Sequence, residues 1–391
     1  MTRPTDRPLE RDWVTTPFLI GTPLVAIIGL GWYLTHVGFF WVDFLLFVVM
    51  YVATGMSITA GYHRYFSHKT YEIHPVVKFL YLVFGATAVE NSAISWSSDH
   101  RLHHRYVDSD KDPYDIMKGI FWAHMGWIFY KTWPVRTYDN APDLKADRMV
   151  MWQHRWYLAI TMGMSFGVPL VVSLFTGRPG GALLWGAVLR VVACHHGTFL
   201  INSAAHAWGF QPYSGRDTSR DNPFLAVFTF GEGYHNFHHT FQADYRNGIR
   251  WYHWDPSKWL INGLRFLGLA WNLNRATDYA ITRARMEMDE VRVRRRLEAH
   301  PAEWRERLWA RYGASRARLE GALLRVMALR RRYQVWVTSV RAQVRPSRHP
   351  LARGWSRRLK RARTAVALAR VRYAERLREV TRVPVTSRTS A

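Results

Sequence analysis

Residues 38–68 have the sequence GFFWVDFLLFVVMYVATGMSITAGYHRYFSH, a long apolar run that leads directly into a pair of histidines. Between Gly38 and Ala60 the only charged residue is Asp43. About 20 apolar residues are enough to carry a helix across a bilayer. This stretch therefore predicts a membrane-spanning helix that ends in two candidate metal ligands, His63 and His68.

Three further runs have a similar length and composition. Residues 17–35 and 156–176 carry no charge, and residues 181–203 carry only Arg190. Short connections join the first run to 38–60 and the third run to the fourth. The pattern predicts an all-α membrane protein with four transmembrane helices in two hairpins, and a helical cap that holds the histidines.

Each hairpin returns the chain to the side on which it started. The segment 61–155, and everything before residue 17 or after residue 203, is therefore expected on one side of the membrane. That side holds nearly all the Lys and Arg, which indicates the cytoplasm. Two weaker apolar runs, 76–94 and 116–130, are expected to lie at the interface, because a further span would separate the histidines.

The basic charge is concentrated at the C-terminal end. Residues 281–391 carry 30 Lys and Arg against 9 Asp and Glu. We therefore expect three parts: a cytoplasmic segment 1–16, a membrane domain 17–280, and an Arg-rich extension 281–391 that is helical or partly disordered. Breaks in its helices are expected near the prolines Pro301, Pro346 and Pro350, and the last residues are expected to be disordered.

The single cysteine, Cys194, excludes an intrachain disulfide. Histidine, by contrast, is abundant, and half of the 18 histidines fall into four short motifs. Imidazole is a common ligand of iron, zinc and copper, and one ion rarely takes more than four or five protein ligands. Nine clustered histidines therefore indicate two metal ions: His63, His68, His100, His103, His104, His206, His235, His238 and His239.

The spacing within these motifs suits helices. Residues i, i+3 and i+4 share a helix face, so each of the triplets HRLHH (100–104) and HNFHH (235–239) is expected to point at a common site. Asn202 and His206 share a face at the end of the fourth span. A single HxxHH motif is also compatible with a surface cluster or a chance zinc site. The absence of cysteine ligands argues against structural zinc.

The motifs ITAGYHRYFSHKTYE, WSSDHRLHHRYVDSDKDPYD, HMGW, NSAAH and GEGYHNFHHTFQADYR give the chain a specific resemblance. Over residues 15–275 it resembles the membrane fatty acid desaturase family, in its acyl-CoA Δ9 (stearoyl-CoA) branch. The resemblance implies two irons held by the nine histidines, with Asn202 near one of them through a water. It also implies that O2 and two electrons convert a saturated C16–C18 acyl-CoA into a cis alkene.

The same resemblance implies substrate-binding residues. Trp96 and Asp99 match family positions near the substrate, and Lys131 matches a basic position near the CoA phosphates. The family often has a second basic residue before it, where this chain has Tyr130. An ordinary interfacial lysine is the alternative for Lys131.

Chain length is expected to be set by the closed end of an acyl tunnel. Tyr51 and Phe47 are bulky and share one face of the second span, so we hypothesise that Tyr51 blocks very long chains. The alternative is that Tyr51 packs between helices or faces lipid.

The electrons are expected to come from NAD(P)H through a separate carrier, because the chain contains no haem-binding domain, flavin fingerprint or cysteine cluster. A ferredoxin, a flavin/iron–sulfur reductase or a small cytochrome would fit. The basic extension is expected to be solvated, to contact membrane lipids or to steer an acidic carrier, and no nucleic acid is expected. The absence of a fused donor domain suggests a bacterial protein, and the high ratio of Arg to Lys suggests a GC-rich genome. We therefore expect a multi-pass protein of the bacterial inner membrane, with both termini in the cytoplasm.

Three alternatives stay open on sequence grounds. A related di-iron membrane hydroxylase would use the same histidines, and a desaturase could act on phospholipid-linked chains. A metal transporter or sensor is a different class of protein. Transport would need polar ligands along the spans, whereas these ligands cluster at one face.

Overall fold

The structure is a computed structural model that describes residues 9–131, 136–340 and 351–382. The chain divides into two compact units. The first, the membrane unit, consists of Met1–Gln211 and Gly215–Arg275, and the second, the C-terminal unit, consists of Pro212–Ser214 and Ala276–Ala391. Both units are helical, apart from a two-stranded antiparallel sheet of Glu72–Ile73 and Ala270–Trp271 in the membrane unit.

Four helices of the membrane unit are long and apolar enough to cross a bilayer, which confirms the predicted fold class. They are span 1 (Thr15–His36), span 2 (Trp41–Ser67), span 3 (Tyr157–Thr176) and span 4 (Pro179–Ala207). Spans 2 and 4 continue beyond the apolar runs that predicted them. Span 2 therefore carries His63, and span 4 carries His206, on the same helix that is long enough to cross the membrane.

Three of the spans contain π-helical turns, at Ser57–Ser67 in span 2, Gly163–Gly167 in span 3 and Leu184–Leu189 in span 4. A π-helix joins residues five apart, and such turns are frequent at functional sites. In span 2 the backbone N–H of His68 donates to the carbonyl of His63 at 3.2 Å. The five-residue spacing of these histidines thus reflects a π-helical turn, where the sequence suggested an opening helix end.

The single charge of the second apolar run is neutralised inside the protein. Asp43 is buried, accepts a hydrogen bond from the hydroxyl of Tyr33 at 2.7 Å, and lies 3.2 Å from Nε of Arg178 in the turn between spans 3 and 4. A carboxylate in hydrocarbon is tolerated only with such partners. This network joins the ends of spans 1 and 2 to the turn between spans 3 and 4.

Short helices cover one end of the spans and form the cap. Two of them carry most of the functional side chains, Ala93–Tyr106 and His235–Thr240. The other α-helices of the cap are Pro75–Ala86, Ile120–His124, Pro142–Lys145, Arg148–Arg155, Pro223–Phe228 and Pro256–Phe266, with 3₁₀ turns at Ile116–Lys118 and Gly126–Phe129. The apolar helix Pro75–Ala86 is too short to span.

Span 2 and the helix Pro75–Ala86 pack through two reciprocal glycine contacts. A Cβ on Gly61 would lie 2.8 Å from the ring of Tyr81, and a Cβ on Gly85 would clash with the ring of Tyr62. Each helix therefore approaches the other as closely as an aromatic ring allows. The two tyrosines belong to the buried core of the cap, together with Phe66, Leu82, Ile94 and Ile261.

The C-terminal unit contains three long helices, Asp278–Leu297, Ala302–Val340 and Ala352–Arg382. They share a buried core that includes Leu308, Tyr312, Leu319, Val366 and Tyr373. The first break falls beside Pro301, where the sequence suggested it. The expected breaks at Pro346 and Pro350, and most of the expected disordered end, lie outside the described residues.

Candidate metal centre and substrate cavity

Nine imidazoles meet in the cap as two groups. In each group the ligand nitrogens lie within 4.8 Å of one another, so each could hold a metal ion. These are the nine histidines that the sequence singled out. The first group consists of His63, His68, His100, His104 and His238, and the second of His103, His206, His235 and His239.

Each HxxHH triplet is divided between the two groups, which differs from the expectation that a triplet points at one site. His100 and His104 join the first group and His103 joins the second. On an α-helix, residues three and four apart lie on opposite sides of residue i, so the three imidazoles fan out over part of the helix circumference. Helices Ala93–Tyr106 and His235–Thr240 therefore stand between the two groups and serve both.

Polar partners behind three of the imidazoles orient them. Nδ1 of His63 lies 2.8 Å from Glu232, and Nδ1 of His103 lies 2.9 Å from Asp112. Nδ1 of His206 lies 2.8 Å from the hydroxyl of Thr218. A partner on Nδ1 fixes the ring and leaves Nε2 as the free nitrogen, as is usual behind metal-bound histidines.

The Nε2 atoms converge at short distances. In the first group, His63 and His238 are 3.0 Å apart and His68 and His100 are 2.8 Å apart. In the second, His235 and His206 are 3.1 Å apart. Nitrogen lone pairs gathered in this way are stabilised by a cation between them.

Burial adds to the fit. It lowers the pKa of His100, His104, His235 and His238 well below the ordinary histidine value, so these imidazoles are neutral at pH 7 and their lone pairs are free. Nε2 of His103 is buried and has no hydrogen-bond partner among the described residues. The donor set is nitrogen-rich and sulfur-free, which suits iron.

A buried ion network supports the first group. Arg64 is almost fully buried, and its Nη2 lies 2.8 Å from Glu232 and 3.0 Å from Asp255. Burial acts to raise the pKa of Glu232, but Arg64 and His63 outweigh it and hold that pKa below its ordinary value. Glu232 therefore stays charged and links Arg64 to His63.

Sequence reasoning missed three of these supporting side chains, Asp112, Asp217 and Thr218. Asp217 lies 3.7 Å from Nδ1 of His239, and Asp108 accepts from the hydroxyl of Thr218 at 2.6 Å. Asp112 belongs to the quoted motif DSDKDPYD, but four aspartates stand there. Spacing alone does not tell which of them faces a histidine.

One cavity of about 980 Å³ adjoins the first histidine group. His63, His100, Trp96 and Asn202 lie on its wall. Charged side chains line another part of it, Asp99, Lys131 and Arg136, and apolar side chains from all four spans line the rest, among them Leu19, Ile58, Phe166 and Val191. Charged and apolar side chains thus line the same cavity as the candidate metal ligands.

Trp96 connects this cavity to the candidate metal ligands. Its ring stacks on His100 with centroids 5.0 Å apart, and its Nε1 donates to Glu90 at 3.1 Å. Glu90 also lines the cavity and accepts from Thr198 at 2.9 Å. Burial raises the pKa of Glu90 to about 8, so at neutral pH the Glu90 carboxyl is largely uncharged.

The charged residues on the wall are themselves paired. Arg136 donates two hydrogen bonds to Asp99, at 2.8 and 2.6 Å, and sequence reasoning did not single out Arg136. Lys131 is exposed and forms an ion pair with Glu10. Arg136 is thus a second basic group at this wall, although the residue before Lys131 is Tyr130.

The cavity lining does not include Tyr51 or Phe47. The hydroxyl of Tyr51 donates to the carbonyl of Phe228 at 3.3 Å, and the rings of Phe47 and Tyr51 stack with centroids 5.7 Å apart. The structure thus brings Trp96, Asp99, Lys131 and Asn202 to one cavity and leaves this aromatic pair away from its wall.

Four spans, a helical cap and nine converging imidazoles define a multi-pass membrane protein with a candidate dinuclear, histidine-bound metal centre. Residues 39–261 match the model of a protein family described as "Fatty acid desaturase". The chain belongs to the fatty acid desaturase family.

Individual relatives agree with this assignment. The chain is 38% identical over 290 residues to "Acyl-CoA desaturase 1" of Saccharomyces cerevisiae and 41% identical over 273 residues to "Probable acyl-CoA desaturase" of Schizosaccharomyces pombe. These matches cover 73% and 69% of this chain, but only 56% of each yeast protein. A third relative, "sn-1 stearoyl-lipid 9-desaturase" of Anabaena variabilis, is 30% identical over 71% of this chain and 98% of its own length.

Proposed function

We propose that this chain is an acyl-CoA Δ9 desaturase acting on saturated C16–C18 chains. One O2, two electrons and two protons remove two neighbouring hydrogens from the acyl chain, and the products are a cis alkene and two waters. We propose the nine histidines as iron ligands and Asn202 as a further contact of one iron. The membrane domain 17–280 would carry this activity, with the extension 281–391 as an accessory part.

The observation that carries the proposal is the cavity beside the first histidine group. An acyl-CoA needs a charged entrance for its headgroup and an apolar channel for its chain, and this cavity offers both next to His63 and His100. Its apolar wall comes from spans, so a chain inside it stays out of water. A small polar substrate, or one rich in hydroxyl groups, would place its polar groups against this apolar wall, where they would find no hydrogen-bond partners.

Two irons bound to the histidines would supply the O2 activation that no amino acid side chain provides. The residues of this chain then have positioning roles. The stacking of Trp96 on His100 holds the Trp96 wall of the cavity against a proposed iron ligand. The neutral state of Glu90 keeps negative charge away from the acyl chain. The Asp99–Arg136 pair places a fixed cation and anion where a thioester headgroup would lie.

The electron donor is proposed to be a separate protein that takes electrons from NAD(P)H: a ferredoxin, a flavin/iron–sulfur reductase or a small cytochrome. We propose that it docks on the cytoplasmic side, which the Lys and Arg of the cap and the C-terminal unit define. We propose the bacterial inner membrane as the location; the four candidate spans support a multi-pass membrane protein.

The first test is a fatty acid profile. The full chain, expressed with a reductase and a ferredoxin in a bacterium unable to make unsaturated fatty acids, is expected to yield cis-Δ9 monoenes located by mass spectrometry. The His103→Ala variant is expected to yield none. Hydroxylated products would favour the hydroxylase alternative, and an iron-free, well-folded purified chain would overturn the proposed centre.

A second candidate is a desaturase of lipid-linked chains, since the Anabaena relative carries that activity in its name and is matched over nearly its full length. Purified enzyme in nanodiscs separates the two. Desaturation of added palmitoyl-CoA with unchanged phospholipid supports the acyl-CoA substrate, and the reverse supports the lipid-linked one.

A further inference from the structure

Two segments of the C-terminal unit contain no acidic residue. Residues 321–340 and 351–374, which we call the basic end, contain twelve Lys and Arg and no Asp or Glu. All twelve are exposed: Arg325, Arg330, Arg331, Arg332, Arg353, Arg357, Arg358, Lys360, Arg361, Arg363, Arg370 and Arg372. The part of the chain carrying this end lies outside the segment that matches the desaturase family, 39–261.

Outside the basic end, six of the fourteen described arginines of the unit form ion pairs with Asp or Glu. Ion pairs join Arg294 and Arg316 to Glu290, and Arg311 and Arg376 to Glu379. Within the described residues of the basic end, the only ion pair is that of Arg330 with Asp278, at 3.7 Å. The positive charge there is thus left for an external partner.

On the last helix these cations form a stripe. Arg353, Arg357, Lys360 and Arg361 follow the spacing i, i+4, i+7 and i+8, which is one helix face. The buried residues of the same helix, Val366, Tyr373 and Val380, follow a second stripe with seven-residue spacing on the opposite side. The cationic stripe therefore points away from the core of the unit.

Apolar and aromatic side chains stand beside the cations. The rings of Tyr333 and Trp336 each contact Trp355, with centroids 6.0 and 6.2 Å apart. Val335 and Leu351 are 65% and 58% exposed. Trp and Tyr beside exposed aliphatic groups suit the boundary between headgroups and acyl chains.

We propose that the basic end binds the anionic headgroups of the membrane in which the chain is embedded. Cations attract the phosphates of acidic lipids, while the aromatic and aliphatic side chains enter the interface. The four spans keep the unit tethered near a bilayer, so the lipid surface is present at high effective concentration. An acidic protein or a nucleic acid would satisfy the charges but not the exposed Val335 and Leu351. This inference stands whether or not the proposed reaction is correct.

The test uses the full chain in nanodiscs. A nitroxide on Ser356→Cys, an exposed position of the last helix, reports its surroundings by electron paramagnetic resonance, and the unsubstituted chain corrects for the buried Cys194. Nanodiscs of neutral phosphatidylcholine are compared with nanodiscs containing about 30 mol% phosphatidylglycerol. Collision with a water-soluble nickel complex measures exposure to water.

We expect the label to be at least about twofold less accessible to nickel in the acidic nanodiscs, and to recover in about 1 M NaCl. Each cation near an acidic surface strengthens attachment about fivefold. The variant Arg353→Gln/Arg357→Gln/Lys360→Gln/Arg361→Gln is therefore expected to lose the protection. The matched control Arg305→Gln/Arg307→Gln/Arg318→Gln/Arg378→Gln removes the same charge from exposed positions outside the basic end and is expected to keep it.

Three results would overturn the proposal. One is equal accessibility in the two lipids, whether high or low. Another is an equal loss of protection in the control variant, which would make the effect one of net charge. The third is protection that appears only when an acidic carrier protein or nucleic acid is added. The label's mobility in detergent shows, for each variant, whether the last helix is still folded.

Discussion

Asp112 is the side chain whose removal tests the metal centre most directly. Both of its carboxylate oxygens lie close to Nδ1 of His103, at 3.0 and 2.9 Å, and the carboxylate is buried. It also accepts from the backbone N–H groups of Asp108 and Tyr114. Asp112→Asn keeps one of the two acceptor oxygens, replaces the other by an NH2 group that cannot accept, and removes the negative charge behind the imidazole.

The expected effect falls on one of the two metal ions. Loss of a carboxylate behind a metal-bound histidine typically weakens metal affinity by about 10- to 100-fold, which corresponds to about 1.4–2.7 kcal/mol. His103 belongs to the second group only. One iron per chain is therefore expected to leave about 10- to 100-fold faster, while the other is released at the parent rate.

The assay follows iron release from purified chain into a coloured ferrous chelator, with total iron measured by mass spectrometry. Asp110→Asn is the matched control, because Asp110 lies two residues away and is exposed. Release of both irons at parent rates from Asp112→Asn would refute the reasoning, and so would equal acceleration of both. The first result would show that the Asp112 charge does not hold the iron, and the second would show that the two histidine groups do not bind separate irons.

Three further predictions concern the cavity. Burial raises the pKa of Glu90 to about 8 from 4.5, so between these pH values the folded protein holds a proton that the unfolded chain has released. The protonated Glu90 therefore contributes its full stabilisation of the folded state below pH 4.5, and this contribution is lost as the pH rises to 8. Glu90→Gln is therefore expected to raise the melting temperature relative to the parent at pH 8 and much less at pH 5, by scanning fluorimetry, and an equal difference at both would contradict this. Arg136→Gln is expected to raise the KM for palmitoyl-CoA by about tenfold with little change in kcat, whereas exposed Lys131→Ala raises it only a few-fold, and the opposite order would contradict the assigned geometry. Phe166→Ala, which enlarges the cavity, is expected to shift the product profile toward longer acyl chains. If Tyr51→Ala produces this shift and Phe166→Ala does not, then Tyr51 in the second span limits chain length, as the sequence suggested.

Composition was enough to predict the spans, because transfer into hydrocarbon depends on the residues of a segment and little on its neighbours. The nine histidines were also evident, since helical spacing groups ligands locally. The division of each triplet was not, because it depends on where helices Ala93–Tyr106 and His235–Thr240 stand relative to spans 2 and 4. That arrangement is set by contacts distant in sequence, such as Gly61 against Tyr81.

Side chains that act through a histidine were harder still. Asp112 and Asp217 carry no local signature, since surface aspartates look the same in sequence. The same holds for Arg136, which pairs with Asp99 on the cavity wall. The cavity wall depends equally on side-chain direction. Tyr51 and Phe166 lie on different spans with similar composition, and only the packing of the bundle shows that Phe166 lines the cavity.

The division of the ligands has a consequence for how this protein is made. The first group needs His63 and His238, which are 175 residues apart, and the second is incomplete until His239 has been synthesised. All four spans precede His235 in the chain, so all of them are synthesised before either group can be completed. Iron loading is therefore a late step of biogenesis, and a chain interrupted before residue 235 is expected to insert normally while holding no complete centre.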